Sequence, residues 1–318
     1  GGVAGGITYL DLVGAVMFSL ALLFKQIALY YAPAVFCYLL GRCLRAGFVG
    51  GTVRDVTSLG VVVLTTFTVL LSPWLLAFGL EGALQVLRRV FPIGRGLFED
   101  KVANVWCAAA PLLRLRSWAS PPQLLALALA TTVIALLPSG ASVLRKPTPR
   151  ALLWALLNSS LAFFLFSYQV HEKSILFALL PAALLAPTSP EAAALAHIIP
   201  QIALSSMFPL LRRDGLVLPF LSLGVFWWSI LPFFARVTPV AMDFRWKGAM
   251  AFSVLAPAFL HVAEAFIPPP ERFPDLHVLL LMMLSAALLS VAFFASNLFQ
   301  VRAEAPAEED AGGRVKAE

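Results

Sequence analysis

The sequence predicts an all-α polytopic membrane protein, and three observations carry that reading. Of its 318 residues 60% are hydrophobic and 13% charged, at a mean hydropathy of +0.87, where a soluble domain carries about 25% charged residues. Apolar runs that approach the ~20 residues a membrane-crossing helix needs recur from end to end. The few charges are collected in short strings between those runs.

Ten spans are expected, at 7–24, 27–41, 56–80, 122–138, 150–169, 174–187, 193–211, 215–235, 249–267 and 275–299. They form one multi-span domain over residues 1–299, with no soluble domain between spans and no repeat of fixed period. Several spans are short and contain proline, which a bundle tolerates where neighbouring helices satisfy the freed carbonyls. The tail 300–318, "QVRAEAPAEEDAGGRVKAE", is charged and poor in aromatics, and is expected to be a disordered cytosolic end. The chain starts with Gly, and "GGVAGG" has neither a positive region nor a cleavage site, so an upstream part is expected.

Charge orients the spans. The strings "GRCLRAGFVGGTVRD" (41–55), "RKPTPR" (145–150) and "RVTPVAMDFRWK" (236–247) are basic and read as cytosolic. Walking the spans from them places Lys25-Gln26, the segment 81–121, the "HEK" turn, "RRDG" (212–215) and "IPPPERFPD" (267–275) on the opposite face. Arg114, Arg116, Arg212 and Arg213 then fall on the non-cytosolic side, against the trend.

Several chemistries are set aside. The formal charge of +6 belongs to loops, and no Lys/Arg-rich run with interleaved aromatics points to nucleic acid. Cys37, Cys43 and Cys107 have no metal-type spacing and read as free thiols. The four histidines are dispersed, so neither a zinc nor a di-metal hydrolase is expected, and no metal or cofactor is assigned.

Three polar strings remain, all on one face. "YQVHEKSIL" places His171, Glu172 and Lys173 in succession between two strongly apolar stretches. Lys25 and Gln26 join two spans with almost no loop. In "RRVFPIGRGLFEDKVANVWC" (88–107) the pattern turns helical from Leu97: Phe98, Val102, Val105 and Trp106 share one side, and Asp100, Lys101 and Asn104 another. The last pattern predicts a short helix in the membrane interface with Trp106 near the headgroups, within a segment 81–121 on the non-cytosolic face. Each string also has a bland reading: a snorkelling lysine, a tight polar turn, a surface helix without chemistry. Asp11 and Glu264 lie in apolar spans with no evident partner.

Ionisable groups at membrane depth are costly and usually mark a pathway or a site. Cations at the interface suit an anionic lipid headgroup, with arginine binding phosphate bidentately and lysine acting as a point charge. His171 can donate a hydrogen bond to phosphate. These groups suggest a pocket for a lipid phosphate, without distinguishing transport, scrambling or group transfer.

"FSLALLFKQIALYYAPAVFCYLL" (18–40), "FPIGRGLFEDKVANVWC" (91–107) and "FFLFSYQVHEKSIL" (163–176) resemble the endoplasmic reticulum glucosyltransferases that use dolichyl phosphate glucose. "RGLFEDKVANVWC" resembles most the member that adds the first α-1,3-linked glucose to the dolichyl-pyrophosphate high-mannose oligosaccharide. The resemblance implies a GT-C glycosyltransferase-like helical bundle in the endoplasmic reticulum membrane, lumenal at its active face, of which these spans are the C-terminal part. It implies metal-independent, inverting transfer from dolichyl phosphate glucose in N-glycan precursor assembly. It also places the catalytic base, an Asp, in a loop upstream of every residue here, so the N-terminal part with the catalytic loop is absent and this chain alone is expected to be inactive. On this reading His171, Lys173 and Lys25 contact the donor phosphate. Arg95, Glu99, Asp100, Lys101, Asn104, Glu172 and Gln26 border the lumenal pocket. The alternatives are a polytopic lipid transporter or scramblase, for which the missing internal repeat is a counter-argument, and an inactive truncated paralogue.

Overall fold

The computed structural model describes residues 6–90, 101–113, 115–237 and 243–304. Among them all regular structure is helical: α1 Tyr9–Phe24, α2 Ala32–Leu44, α3 Val49–Val90, α4 Val105–Leu113, α5 Leu115–Trp118, α6 Pro121–Arg145, α7 Pro149–Phe166, α8 Leu179–Leu185, α9 Pro190–Ser206, α10 Phe208–Arg213, α11 Val217–Val237, α12 Phe244–Phe266 and α13 Leu276–Glu304. Short 3-10 segments at Gln26–Tyr31, Glu172–Ala178 and Ala186–Thr188 connect them. Among the described residues six helical stretches are long and apolar enough to cross a membrane: Gln26–Leu44, Val49–Val90, Pro121–Arg145, Pro149–Phe166, Phe244–Phe266 and Leu276–Glu304. Tyr9–Phe24 and Val217–Ile230 are shorter apolar helices. The protein is an all-α polytopic membrane protein.

Local sequence explains where the helices start. Asp11 accepts from the Thr8 backbone N–H at 2.7 Å and from its hydroxyl at 2.8 Å, closing the first turn of α1. Gln123 does the same for Ser120 at α6, and the Thr148 hydroxyl accepts from the Ala151 N–H at α7. Pro149 and Pro190 stand at the first positions of α7 and α9, where no N–H is needed.

α3 has 42 residues, about 63 Å of helix and about twice the hydrocarbon thickness. Gly79 divides it, with φ of +66°, a conformation that favours glycine. Beyond that break Leu80, Ala83, Leu84 and Leu87 fall on one side and Glu81, Gln85, Arg88 and Arg89 on the other, the pattern of a helix lying in an interface.

α7 and α9 form the centre. Trp154, Leu157, Leu161 and Leu165 of α7 and Leu195, Ile199 and Ile202 of α9 are buried, together with Leu289 and Phe293 of α13. α6, α2 and α13 pack around α7, and α8, α12 and α13 around α9. α2 and α6 approach so closely at Gly41 that a Cβ there would sit 2.6 Å from the Leu144 carbonyl oxygen. Inside the bundle a polar network joins three helices: Asn158 of α7 donates to Gln300 of α13 at 2.8 Å, Ser139 of α6 donates to the same oxygen at 2.6 Å, and Ser296 donates to Asn158. All four side chains are buried.

Two ends of the bundle are distinct. At one, Arg42 pairs with Asp11, Arg45 donates to the Arg145 carbonyl, Lys146 donates to the Glu304 carbonyl, and Arg150 donates to the Thr188 carbonyl at 3.3 Å. At the other, Lys101 pairs with Asp275 at 2.6 Å, Arg212 with Glu264 at 2.7 Å, and Tyr31 donates to the Phe177 carbonyl. The contacts thus group Arg42, Arg45, Arg145, Lys146 and Arg150 at one end and Lys101, Arg212, Glu264 and Asp275 at the other.

Some expectations need correction. The span 174–187 is not one helix but a 3-10 turn, the seven-residue α8 and a second 3-10 turn, and the span 27–41 begins in a 3-10 turn. The span 193–211 is broken at Met207 between α9 and α10. The expected tail begins too early, because residues 300–304 continue α13 and Gln300 is buried by its bond to Asn158; residues 305–318 lie outside the described residues. Asp11 and Glu264 do have partners, Arg42 and Arg212, each more than thirty residues away in sequence.

Candidate functional site

The geometry of the His171 turn is set by its own sequence. α7 stops at Phe166, and Ser167 adopts extended backbone. The chain re-enters helical geometry at Glu172 as a 3-10 turn, whose side chains at i and i+3 eclipse one another. That period aligns Glu172, Ile175 and Ala178: Ile175 and Ala178 are buried in the core, and Glu172 is drawn in to 14% exposure. His171 and Lys173 fall outside the aligned row and are exposed.

His171 caps this turn. Its Nδ1 accepts from the Lys173 N–H at 3.2 Å and lies 3.3 Å from Glu172 Oε2. A neutral imidazole that accepts at Nδ1 carries its proton on Nε2, and an imidazolium that donates to Glu172 carries one there as well. With the Lys173 N–H bound at Nδ1, Nε2–H is therefore a hydrogen-bond donor, on a side chain 56% exposed. No acidic side chain pairs with Lys173 among the described residues.

Lys25 ends α1 in extended backbone, and its N–H donates to the Ala21 carbonyl at 3.0 Å. It and Gln26 are exposed, and no carboxylate pairs with Lys25 among the described residues. The Gln26–Tyr31 turn is fastened to the His171 turn: the Tyr31 hydroxyl donates to the Phe177 carbonyl, and the Tyr30 ring stacks on Phe163 at 5.0 Å.

The third string behaves differently. Arg95, Glu99 and Asp100 lie outside the described residues. Of the helix expected from Leu97, residues 97–100 lie outside the described residues, residues 101–104 are non-helical, and α4 starts at Val105. Val102 and Ala103 are buried in the main core, and Trp106 is buried too, its indole N–H donating to the Phe166 carbonyl at 2.7 Å. The segment is docked into the protein rather than laid on the headgroups, because its apolar row has α7 and α13 to cover it. Asn104 points no group at solvent: it is buried and its Oδ1 accepts from the Cys107 N–H at 2.8 Å, as the cap of α4. Lys101 remains exposed and is paired with Asp275.

The end of α7 is therefore the meeting point. The Lys25 turn reaches it through Tyr30 and Tyr31, the 101–107 segment through Trp106, and the His171 turn by continuity. Sequence reasoning misses the Tyr30–Phe163 stack and the Lys101–Asp275 pair; the aromatic pair "YY" soon after Lys25-Gln26 is the available signal for the first. Among the described residues no three His, Cys, Asp or Glu side chains are grouped to hold a metal ion. The His171 turn offers an imidazole N–H donor and the Lys173 ammonium, and the tethered Gln26–Tyr31 turn carries the Lys25 ammonium at its start, groups suited to an exposed anionic oxygen.

The chain is similar to proteins of a known family. The model of a family described as the ALG6, ALG8 glycosyltransferase family matches residues 5–296. The probable dolichyl pyrophosphate Man9GlcNAc2 alpha-1,3-glucosyltransferase of Drosophila melanogaster is 37% identical over 286 residues, covering 90% of this chain and 59% of that protein. The probable enzyme of the same name from Arabidopsis thaliana is 36% identical, covering 94% of this chain and 57% of its own length. The dolichyl pyrophosphate Man9GlcNAc2 alpha-1,3-glucosyltransferase of Saccharomyces cerevisiae is 36% identical, with 84% and 54% covered. The chain spans a little over half the length of these relatives.

Proposed function

This chain belongs to the ALG6, ALG8 glycosyltransferase family, and from that membership we propose that it forms part of an endoplasmic reticulum membrane α-1,3-glucosyltransferase. The donor is dolichyl phosphate glucose, and the acceptor is the dolichyl-pyrophosphate-linked high-mannose oligosaccharide. The end of the bundle carrying His171 faces the lumen, and the described helices make one transmembrane domain. The observation that carries the reading is the match over residues 5–296, which runs through all three polar strings.

The reaction is a single displacement at the glucose anomeric carbon. The 3-hydroxyl of a terminal mannose loses its proton to a general base, and its oxygen bonds to that carbon. The bond from the carbon to the phosphate oxygen breaks, and dolichyl phosphate leaves with the electron pair. No residue of this chain is assigned as the base, whose contribution is typically about 10²–10⁴-fold. The part of these residues is electrostatic. His171 Nε2–H donates to the phosphate oxygen where the leaving group gains negative charge, and Lys173 and Lys25 hold the phosphate of the bound donor by their charge. Such preset donors act most when charge develops in a site shielded from water. The Lys173 N–H donates to His171 Nδ1 and holds the ring by that atom, leaving Nε2 as the donor.

The test is complementation. Microsomes from cells lacking the first glucosyltransferase are supplied with the protein expressed from its complete gene, and lipid-linked oligosaccharides are separated by size. The expected product carries one additional glucose; its complete absence, with the protein present in the membrane, rejects the assignment.

A further inference from the structure

Two 3-10 turns, each starting next to a polar string, are sewn together by the neighbouring tyrosines Tyr30 and Tyr31. The Tyr31 hydroxyl donates to the Phe177 carbonyl, 146 residues away in sequence. Tyr30 is buried: its ring stacks on Phe163 at 5.0 Å and meets Phe177 at 6.0 Å, and its hydroxyl faces the side chains of Ser174 and Ser167. The Ser159 hydroxyl donates to the Tyr30 carbonyl. Ser167 and Ser174 bracket His171, and Phe177 closes the same turn.

These contacts hold the segment immediately after Lys25. A 3-10 segment has weaker backbone hydrogen bonds than an α-helix and does not hold its place unaided. Among the described residues the backbone bonds of Lys25 are the local ones with Ala21 and Ala28, so its place relative to His171 is set by α1 before it and by the Gln26–Tyr31 turn after it. An unpartnered cation on a flexible four-carbon stem contributes to binding only where its root is fixed.

We propose that Tyr30 and Tyr31 are positioning residues for the proposed transfer, acting through Lys25: they fix the Lys25 corner against the His171 turn so that both reach one phosphate. This role rests on the reading of that turn as the grip on the donor phosphate. Tyr31→Phe keeps the ring and removes the tether to Phe177. Tyr30→Phe keeps the stack on Phe163 and removes the hydroxyl that faces Ser167 and Ser174.

The experiment measures initial rates of glucose transfer in microsomes bearing the protein from its complete gene, with dolichyl phosphate glucose varied. Tyr31→Phe is expected to raise the donor KM about three- to tenfold while kcat changes less than about twofold. Lys25→Ala is expected to raise the donor KM at least as much, and Tyr31→Phe to add nothing further in the Lys25→Ala background. A general loosening of the fold would instead raise KM by the same factor in both backgrounds, and that result overturns the proposal, as does a Lys25→Ala variant with the wild-type KM. If Tyr31→Phe does not accumulate in the membrane, Tyr30→Phe gives the same readout. His171→Ala separates the two levels of inference. If it leaves turnover unchanged, the reading of the turn fails; if it lowers turnover while both tyrosine variants keep the wild-type KM, the positioning role alone fails.

Discussion

The indole N–H of Trp106 donates to the carbonyl of Phe166 at 2.7 Å, across 60 residues of sequence. Phe166 is the last residue of α7, so its carbonyl has no donor within the helix. Trp106 supplies that donor from a separate segment and is buried in doing so. Trp106→Phe should therefore leave a shielded acceptor unpaired and cost about 1–3 kcal/mol. Trp106→Ala also opens a void and should cost about 3–5 kcal/mol. Thermal unfolding of the detergent-solubilised protein measures both, with alanine the worse; equal stability of the alanine variant and wild type would show that the segment is not docked.

The opposite end depends on a charge pair. Asp11 and Arg42 meet at 3.0 Å, with side chains only 10% and 12% exposed. Arg42 also donates to the Gly6 carbonyl at 3.1 Å, so it fastens the start of α1 to the end of α2. Removing one member of a pair this poorly solvated strands the other, at about 3–5 kcal/mol. Arg42→Met alone is expected to be more destabilising than Arg42→Met with Asp11→Leu, because the double change leaves no uncompensated charge. Unfolding midpoints in one detergent decide the order.

Asn158 is the hub of the buried polar network. It donates to Gln300 at 2.8 Å and accepts from Ser296 and, at 3.2 Å, from Asn297. Interhelical hydrogen bonds in membranes average about 0.6 kcal/mol and reach about 1.7. Losing several at once through Asn158→Ala should cost about 1–3 kcal/mol, and adding Gln300→Ala should cost less than the two single changes summed, since they share a bond. Additive losses would mean that the two side chains act independently.

The helices are legible in the sequence because their signal is local. Apolar runs between polar strings became helical, and Thr148-Pro149 and Ser189-Pro190 mark starts of α7 and α9 in plain view. That Arg42, Arg45, Arg145, Lys146 and Arg150 share one end is equally readable, since each crossing reverses the chain. Hidden from the sequence is anything that depends on which neighbour covers a row of side chains. Val102, Val105 and Trp106 carry the same apolar pattern whether the cover is lipid or α7, and only the fold shows that it is protein. Asp11 and Glu264 look isolated in sequence because Arg42 and Arg212 reach them across helices. At the site, the residue types of the His171 turn are visible, but not the 3-10 period that turns Glu172 inward and leaves His171 and Lys173 outside. Asn104 has the pattern of a pocket group and is committed to capping α4.

The structure separates cations that are free to meet a ligand from those already engaged, and the difference is measurable. Lys101 is 2.6 Å from Asp275, with both side chains more than half exposed. An exposed pair is worth about 0–1 kcal/mol, so Lys101→Ala should leave stability nearly unchanged, and its charge is neutralised in place. In the proposed reaction Lys101→Ala should lower turnover less than about threefold. With the Lys173 N–H bound at Nδ1, His171 offers an Nε2–H donor, and His171→Ala removes it. Loss of one preset donor to a developing anion costs on the order of 3–4 kcal/mol in a shielded site; the half-exposed His171 should lose about tenfold or more in turnover. Glu172→Gln keeps the shape of the turn but removes the carboxylate beside Nδ1, and should fall between the two. Transfer rates in microsomes, normalised to the amount of each variant in the membrane, give the comparison. A Lys101→Ala variant as impaired as His171→Ala would place the phosphate grip nearer the 101–104 segment, and wild-type turnover in His171→Ala would remove His171 from it.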